Sequence, residues 1–459
     1  MASLLSKERI IAQSNFNRWL IPPCALATHL CIGQAYAFSV FNLPLTQQLG
    51  IKESLPADWK LTELGWIFTI AIFFLGASAA VFGKWVQAEG PRKAGFVAAV
   101  CWGLGFLIGA LGIALHNLWV VYFGYGVLGG CGLGIGYITP VSTLITWFPD
   151  RRGMATGMAI MGFGGGALVA SPLSVLLMKQ FASPTSTGVA QTWLVLGVVY
   201  LIVMCAGAFG YRLPAPGWKP QGWVPPPVRA GALMTKFDVA PGRAITTRQF
   251  WCLWVVLCFN VTAGIGVLLQ ASPMIQEVFK GTITAGAAAG FVGLLSLFNM
   301  GGRFFWASLS DKIGRKATYA CFFVLGPAMY ALVPFAGGQL GSVPLFVACF
   351  CVILTMYGGG FSTIPAYLAD VFGTKYVSAV HGRLLTAWSV AGILGPVLVN
   401  YLREFQINHG IPKYQAYNIT MYIMAGLLVV GFFANLAVRP VGEKDIEREP
   451  QPDGRPVTV

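Results

Sequence analysis

Charge is scarce in this chain, and acid is the scarcer half of it. Only 10% of the 459 residues are Asp, Glu, Lys or Arg, against roughly 25% in a soluble globular protein. So few charges exclude a water-soluble fold of this size. No Asp or Glu lies near the middle of any apolar segment, so a cation placed there has no counter-charge along its own segment. The glycine runs Gly129-Gly130 to Gly136 and Gly164-Gly165-Gly166 are followed by no Lys-Ser or Lys-Thr, which excludes a phosphate loop; they read as close helix contacts. The 10 cysteines all fall inside apolar runs, without the paired spacing of metal ligands in a polar loop. They read as small buried hydrophobes, with neither a disulfide framework nor a metal. No catalytic constellation and no cofactor motif is present, so neither an enzyme nor a cofactor is expected. Met1 to Phe16 contains no short apolar run closed by a cleavage site, and no cleavable signal peptide is expected.

What is abundant is apolar length. Hydrophobic residues are 56% of the chain, enough for twelve spans of about 20 residues each. The spans are expected at roughly 17–45, 62–88, 94–115, 118–148, 153–180, 190–213, 249–279, 284–310, 317–336, 343–371, 378–402 and 416–438. The 57 glycines suit helices that pack closely in a bilayer. A Pro-rich polar stretch, with Pro214, Pro216, Pro220 and Pro225-Pro226-Pro227, separates two sets of six spans. It predicts an N-terminal half (1–213), an extended linker (214–248), a C-terminal half (249–438) and a tail (439–459). The net charge of +14 does not point to nucleic acid, because the basic residues sit in short loops and the tail rather than on one soluble face. With both termini inside, 22 of the 30 Lys and Arg fall in cytoplasmic segments. That asymmetry predicts a multi-pass protein of the cell (inner) membrane with both ends cytoplasmic.

The two halves repeat. Gly90, in the basic loop after the second span, and Gly314, in the loop after the eighth, are 224 residues apart; Pro140 and Pro365 are 225 apart. A duplicated six-helix unit has a central seam that can rock about a site at mid-membrane.

The short basic loop Asp311-Lys312-Ile313-Gly314-Arg315-Lys316 and its first-half copy resemble the major facilitator superfamily. Within it, Gly33-Gln34-Ala35-Tyr36-Ala37-Phe38-Ser39-Val40-Phe41, Trp147-Phe148-Pro149-Asp150-Arg151-Arg152-Gly153-Met154-Ala155-Thr156-Gly157 and Leu384-Leu385-Thr386-Ala387-Trp388 resemble the oxalate/formate antiporter family. Monocarboxylate transporters are more distant relatives. The resemblance covers nearly the whole chain. It implies an all-α membrane protein, twelve helices in two pseudo-symmetric halves, that carries small organic anions. It also implies that Asp311, Arg315 and Lys316 latch the halves together on the cytoplasmic side. In the first half Gln87 stands where the family has an Asp, which predicts a weaker latch there.

Arg303 is the leading candidate for substrate binding. It lies eight residues before Asp311, the cytoplasmic end of its span, hence roughly 12 Å deep against a half-thickness of about 15 Å. It either snorkels to the interface or faces a cavity. Asn299 and Ser296, one and two turns back on the same face, form a polar stripe that favours the cavity. An intramembrane charge marks a substrate path by default, and a guanidinium grips a carboxylate with a two-pronged fork that Lys lacks. Asn299 would bind a substrate oxygen or orient Arg303. Monocarboxylate relatives carry a proton-linked Asp at that place, so its neutrality here argues against a carboxylate relay.

His29, deep in the first span, is the candidate for proton coupling. His116 and His409 fall in outer loops, and His381 near the cytoplasmic end of its span, where water would satisfy it. Tyr36, Tyr137, Phe163, Tyr357, Phe361 and Trp388 lie on spans that line the cavity in the resembling fold. Phe163 and Trp388 are 225 apart, at matching places in the repeats. Oxalate carriers of the resembling family have a second intramembrane cation, a Lys, in the eleventh span. None lies between Ala387 and Val399 here, and Arg383 is expected to pair with Asp370. One deep cation balances one negative charge, which predicts a monocarboxylate such as lactate, pyruvate or formate. An oxalate/formate-type dicarboxylate antiporter and a non-transporting membrane sensor of organic acids are the alternatives. The expected partners are the substrate, protons and lipid; a monomer is expected.

Overall fold

The computed structural model describes residues 4–13, 15–51, 53–224, 233, 235, 237–442 and 445–446. The triple proline of the linker and most of the tail lie outside the described residues. Twelve long helical segments account for most of the rest: α1 Arg18–Leu45, α2 Leu61–Glu89, α3 Pro91–Ala114, α4 Leu118–Trp147, α5 Arg152–Phe181, α6 Val189–Gly210, α7 Arg248–Val278, α8 Ala285–Ile313, α9 Arg315–Gln339, α10 Val343–Phe372, α11 Val377–Asn408 and α12 Asn418–Ala437. Eleven contain stretches long and apolar enough to cross a membrane among the described residues. The twelfth, α8, is 29 residues long and carries Asn299 and Arg303.

The helix ends follow local chemistry. After a 3-10 turn at Arg18–Leu20, paired prolines, Pro22 and Pro23, open the α-helical stretch Ile21–Ile32 of α1, where a missing N–H is harmless. Gly90 and Gly314 break α2 from α3 and α8 from α9 with φ of 87° and 88°. Only glycine adopts that backbone readily, so the same turn recurs at the same place in both repeats. From Gly33 to Phe41, α1 tightens into a 3-10 helix. There its backbone lies against α5 so closely that a Cβ on Gly33 would sit 2.4 Å from the Phe163 carbonyl oxygen.

The packing obeys the repeat. In the first half α1 packs on α5, α2 on α4 and α3 on α6; in the second α7 packs on α11, α8 on α10 and α9 on α12. The seam between halves obeys it too, with α5 against α8 and α2 against α11. Glycines permit these approaches: a Cβ on Gly83 would lie 2.8 Å from the Ala379 backbone, and one on Gly302 would lie 2.3 Å from the Thr355 carbonyl oxygen.

The linker is less detached than its composition predicts. Leu213 pairs with the segment Ile10–Ala12, Trp218 packs on Trp147 at 4.8 Å, and the Thr235 and Val239 amides donate to the carbonyls of Asp370 and Phe372. Extended backbone has free N–H groups, and here the carbonyl end of α10 takes two of them.

Candidate functional site

Arg303 does not snorkel. It is fully buried, and its guanidinium turns across the seam into the first half. Nε donates to Asn299 Oδ1 at 3.1 Å, one turn back on α8, and Nη1 donates to the Ile160 carbonyl of α5 at 3.3 Å. Nη2 has no partner. Gly164 on α5 and Gly358 on α10 make room: their Cβ atoms would lie 3.0 Å from Arg303 Nε and Cγ. Among the described residues Arg303 forms no salt bridge. A buried cation with its outer edge free is a ready anion receptor. Ser296, the far end of the expected polar stripe, instead donates to its own helix at Val292. A hydroxyl mid-helix commonly satisfies itself that way.

Every aromatic singled out from the sequence joins one cluster over this cation. Tyr36 meets Phe163 edge-on at 4.9 Å, Phe163 meets Trp388 at 5.4 Å, Trp388 meets Phe361 at 4.4 Å and Phe361 meets Tyr357 at 5.3 Å. The Tyr357 and Tyr36 hydroxyls close the ring with a 3.0 Å hydrogen bond between the halves. Tyr137 packs inside it, 5.6 Å from Phe163 and 5.2 Å from Trp388. The guanidinium carbon lies 5.7 Å from the Phe163 ring centre and 5.2 Å from that of Phe361. The ring excludes water, and an ion pair formed within it is stronger for that.

Two histidines border the cluster. His29 lies edge-on to Tyr137 at 5.4 Å, and neither of its ring nitrogens has a well-formed hydrogen-bond partner. His381, expected to be wetted at its helix end, is 1% exposed and lies tilted against Tyr137 at 5.9 Å, its Nε2 unpartnered among the described residues. α2 covers the first turns of α11 here, with Ala79 against Gly382, and keeps water out. The Tyr137 hydroxyl and the Trp388 Nε1 also lack partners. Buried polar atoms are almost always paired, so this concentration of unpaired ones beside a cation makes the cluster the candidate ligand site. His116, by contrast, stacks on Trp59 and bonds the Ala57 carbonyl, and His409 bonds Phe405.

The face carrying both chain ends is tied across the seam. Asp311 accepts from the Gly153 and Met154 amides at the start of α5 at 2.8 and 2.9 Å, and from Arg315 Nη2 at 2.6 Å. Asp370 accepts from Arg152 at 3.0 Å and Arg315 Nε at 3.1 Å. This network of contacts is made by Asp311, Arg315, Arg152 and Asp370. Lys316 takes no part, contrary to expectation: its ammonium caps the carbonyls of Leu436 and Val438 at the end of α12, where a helix dipole favours a cation. Arg383 pairs with the Pro241 carbonyl rather than Asp370, because Asp370 is already filled by two arginines. Gln87 does reach across the seam, donating to the Lys375 carbonyl. On the opposite face the polar ties recorded among the described residues stay within a half, as in Glu277 with Arg403 and Gln270 with Asn400.

The sequence profile of the Major Facilitator Superfamily matches residues 24–396 and again 296–458. The chain belongs to that superfamily. It is 29% identical to the oxalate:formate antiporter of Oxalobacter formigenes over 381 residues, 83% of each chain. It is 25% identical to human monocarboxylate transporter 11, over 81% of this chain and 76% of that one. Among solved structures, the E. coli fucose:proton symporter superposes with a TM-score of 0.64 at 15% identity, covering 91% of this chain and 98% of that one; the fold is shared.

Proposed function

We propose that this protein is a secondary active carrier of small organic anions that binds one carboxylate on Arg303 at the seam between its halves. The observation that carries the reading is the free guanidinium edge: a buried cation, anchored from behind by Asn299 and Ile160, with no acid in contact and an aromatic ring closed over it. Relatives named for oxalate, formate and monocarboxylates support the same ligand chemistry. One deep cation favours a monocarboxylate over a dicarboxylate, with Tyr36, Tyr137, Phe163, Tyr357, Phe361 and Trp388 enclosing it. Alternating access opens the seam on one face at a time, and Asp311, Arg315, Arg152 and Asp370 hold the chain-end face shut. The excess of basic residues on that face supports a cytoplasmic orientation for it, and the proposal has the protein working as a monomer in a cell membrane. Transport runs on a gradient, by anion exchange or by proton symport.

The test is counterflow in proteoliposomes with labelled pyruvate, lactate, formate and oxalate. Saturable exchange of a monocarboxylate, lost in Arg303→Gln, is the expected result. Exchange of oxalate in preference to all three monocarboxylates would overturn the single-charge argument. Binding without exchange would make the protein a sensor.

A further inference from the structure

An anion site on Arg303 leaves His29 and His381 without a role, and they are the most unusual groups in the bundle. Each is buried and each has an unpaired ring nitrogen. They come from different halves, α1 and α11, and meet the same side chain, Tyr137 of α4, whose hydroxyl is also unpaired. The elements packed around them offer little charge. α5 presents Gly162 to His29, and α2 presents Ala79 to α11 beside His381. Arg303 of α8, behind Phe163, is the one charge in the cluster among the described residues, and no Asp or Glu faces it.

We propose that His29 and His381, bridged by Tyr137, form a proton-binding site that loads only when an anion occupies Arg303, so that the carrier takes up acid and proton together. The inference rests on the anion reading of Arg303. With that site empty, an imidazolium would be a second cation in a dry pocket beside the first, without an acid to balance either. A carboxylate on Arg303 cancels the first charge. A ring nitrogen can then take a proton, from hydronium or from the carboxylic acid as it enters, onto its unpaired lone pair. The acid's O–H bond breaks, an N–H bond forms, and the carboxylate stays on the guanidinium. Release reverses the step. The seam carries anion and proton together and moves no net charge. Tyr137 is a positioning residue that holds both rings against the cluster. A carboxylate relay is unnecessary in such a site, in keeping with Asn299 standing neutral beside Arg303.

Two measurements test this. Proteoliposomes with a one-unit acid-outside pH gradient are given labelled pyruvate, and the steady-state accumulation ratio is read; it is independent of rate and of protein amount. Coupled uptake of one proton gives about tenfold accumulation per pH unit. The double variant His29→Gln/His381→Gln is expected to fall to onefold. Purified wild-type protein in weak buffer with a pH indicator should also bind protons when pyruvate is added, and Arg303→Gln should not. Tenfold accumulation in the double variant overturns the proposal. So does wild-type counterflow of pyruvate without proton uptake, which would make the protein an exchanger and leave the arginine site standing. Counterflow retained in Arg303→Gln removes the arginine site, and this inference with it.

Discussion

Replacing Arg303 by Gln separates a charge kept for function from one kept for the fold. Holding an ion in the interior costs several kcal/mol even after relaxation. Against that stand hydrogen bonds to Asn299 and Ile160, each about 1.5–3 kcal/mol for a charged donor. The faces of Phe163 and Phe361 add about 2 kcal/mol in a dry setting. The two sides nearly cancel, and Gln keeps an amide donor for Asn299. Stability should therefore change by no more than about 1–2 kcal/mol, well below the roughly 3–5 kcal/mol lost when a buried ion pair is broken. Binding is another matter. A fork of two charged hydrogen bonds is worth about 3–6 kcal/mol, or a hundredfold to ten-thousandfold in affinity. Arg303→Lys, which keeps the charge and loses the fork, should weaken binding about ten- to a hundredfold. The assays are counterflow of labelled pyruvate and thermal unfolding of the purified protein with and without pyruvate. At a hundred times Kd the wild type gains about 2.7 kcal/mol of stability from the ligand; Arg303→Gln should gain none. Wild-type exchange in Arg303→Gln, or an unfolding temperature that drops as if an ion pair had been cut, would refute the reasoning.

Gly302→Ala should destabilise by about 1–3 kcal/mol, because its Cβ would meet the Thr355 carbonyl at 2.3 Å; neighbouring Gly301→Ala, with open space around it, should be neutral in the same melt. Asp311→Asn removes the anion that holds the start of α5 and Arg315. The chain-end face should then open more often, read as several-fold faster thiol labelling of a cysteine placed at Thr156, which sits under the latch. Partial burial raises the Asp150 carboxyl, but hydrogen bonds from Arg18 and its own backbone and the charges of Arg18 and Arg151 outweigh this and leave it below the usual carboxylate range. A depressed folded value stabilises above the unfolded pKa of about 3.9 and is lost as pH falls through the folded one. The gap in unfolding temperature between wild type and Asp150→Asn should thus be full at pH 5–7 and close below about pH 4.

Much of the site is legible in the residues themselves. Arg303 stands out because an apolar run has no use for a cation, and the register of 225 ties Phe163 to Trp388 by spacing alone. Other parts are not legible. His381 looks wettable near a helix end, but α2 comes from the other half of the chain to cover it. Lys316 looks like part of a basic latch, but the end of α12 folds back beside it and takes its ammonium. Asp370, the second anchor of the latch, has no local signal in the sequence, because both its arginines come from other helices, 218 and 55 residues away.

The sequence by itself determined the membrane class, the number of spans, the repeat and the cation deep in α8. These follow from composition and local periodicity, which a bilayer reads segment by segment. The tertiary structure alone decided which way Arg303 turns, that six aromatics on α1, α4, α5, α10 and α11 close over it, and that His29 and His381 share one tyrosine. The decisive ones among those contacts form across the seam, and the chain's local periodicity carries no record of how the two halves face each other.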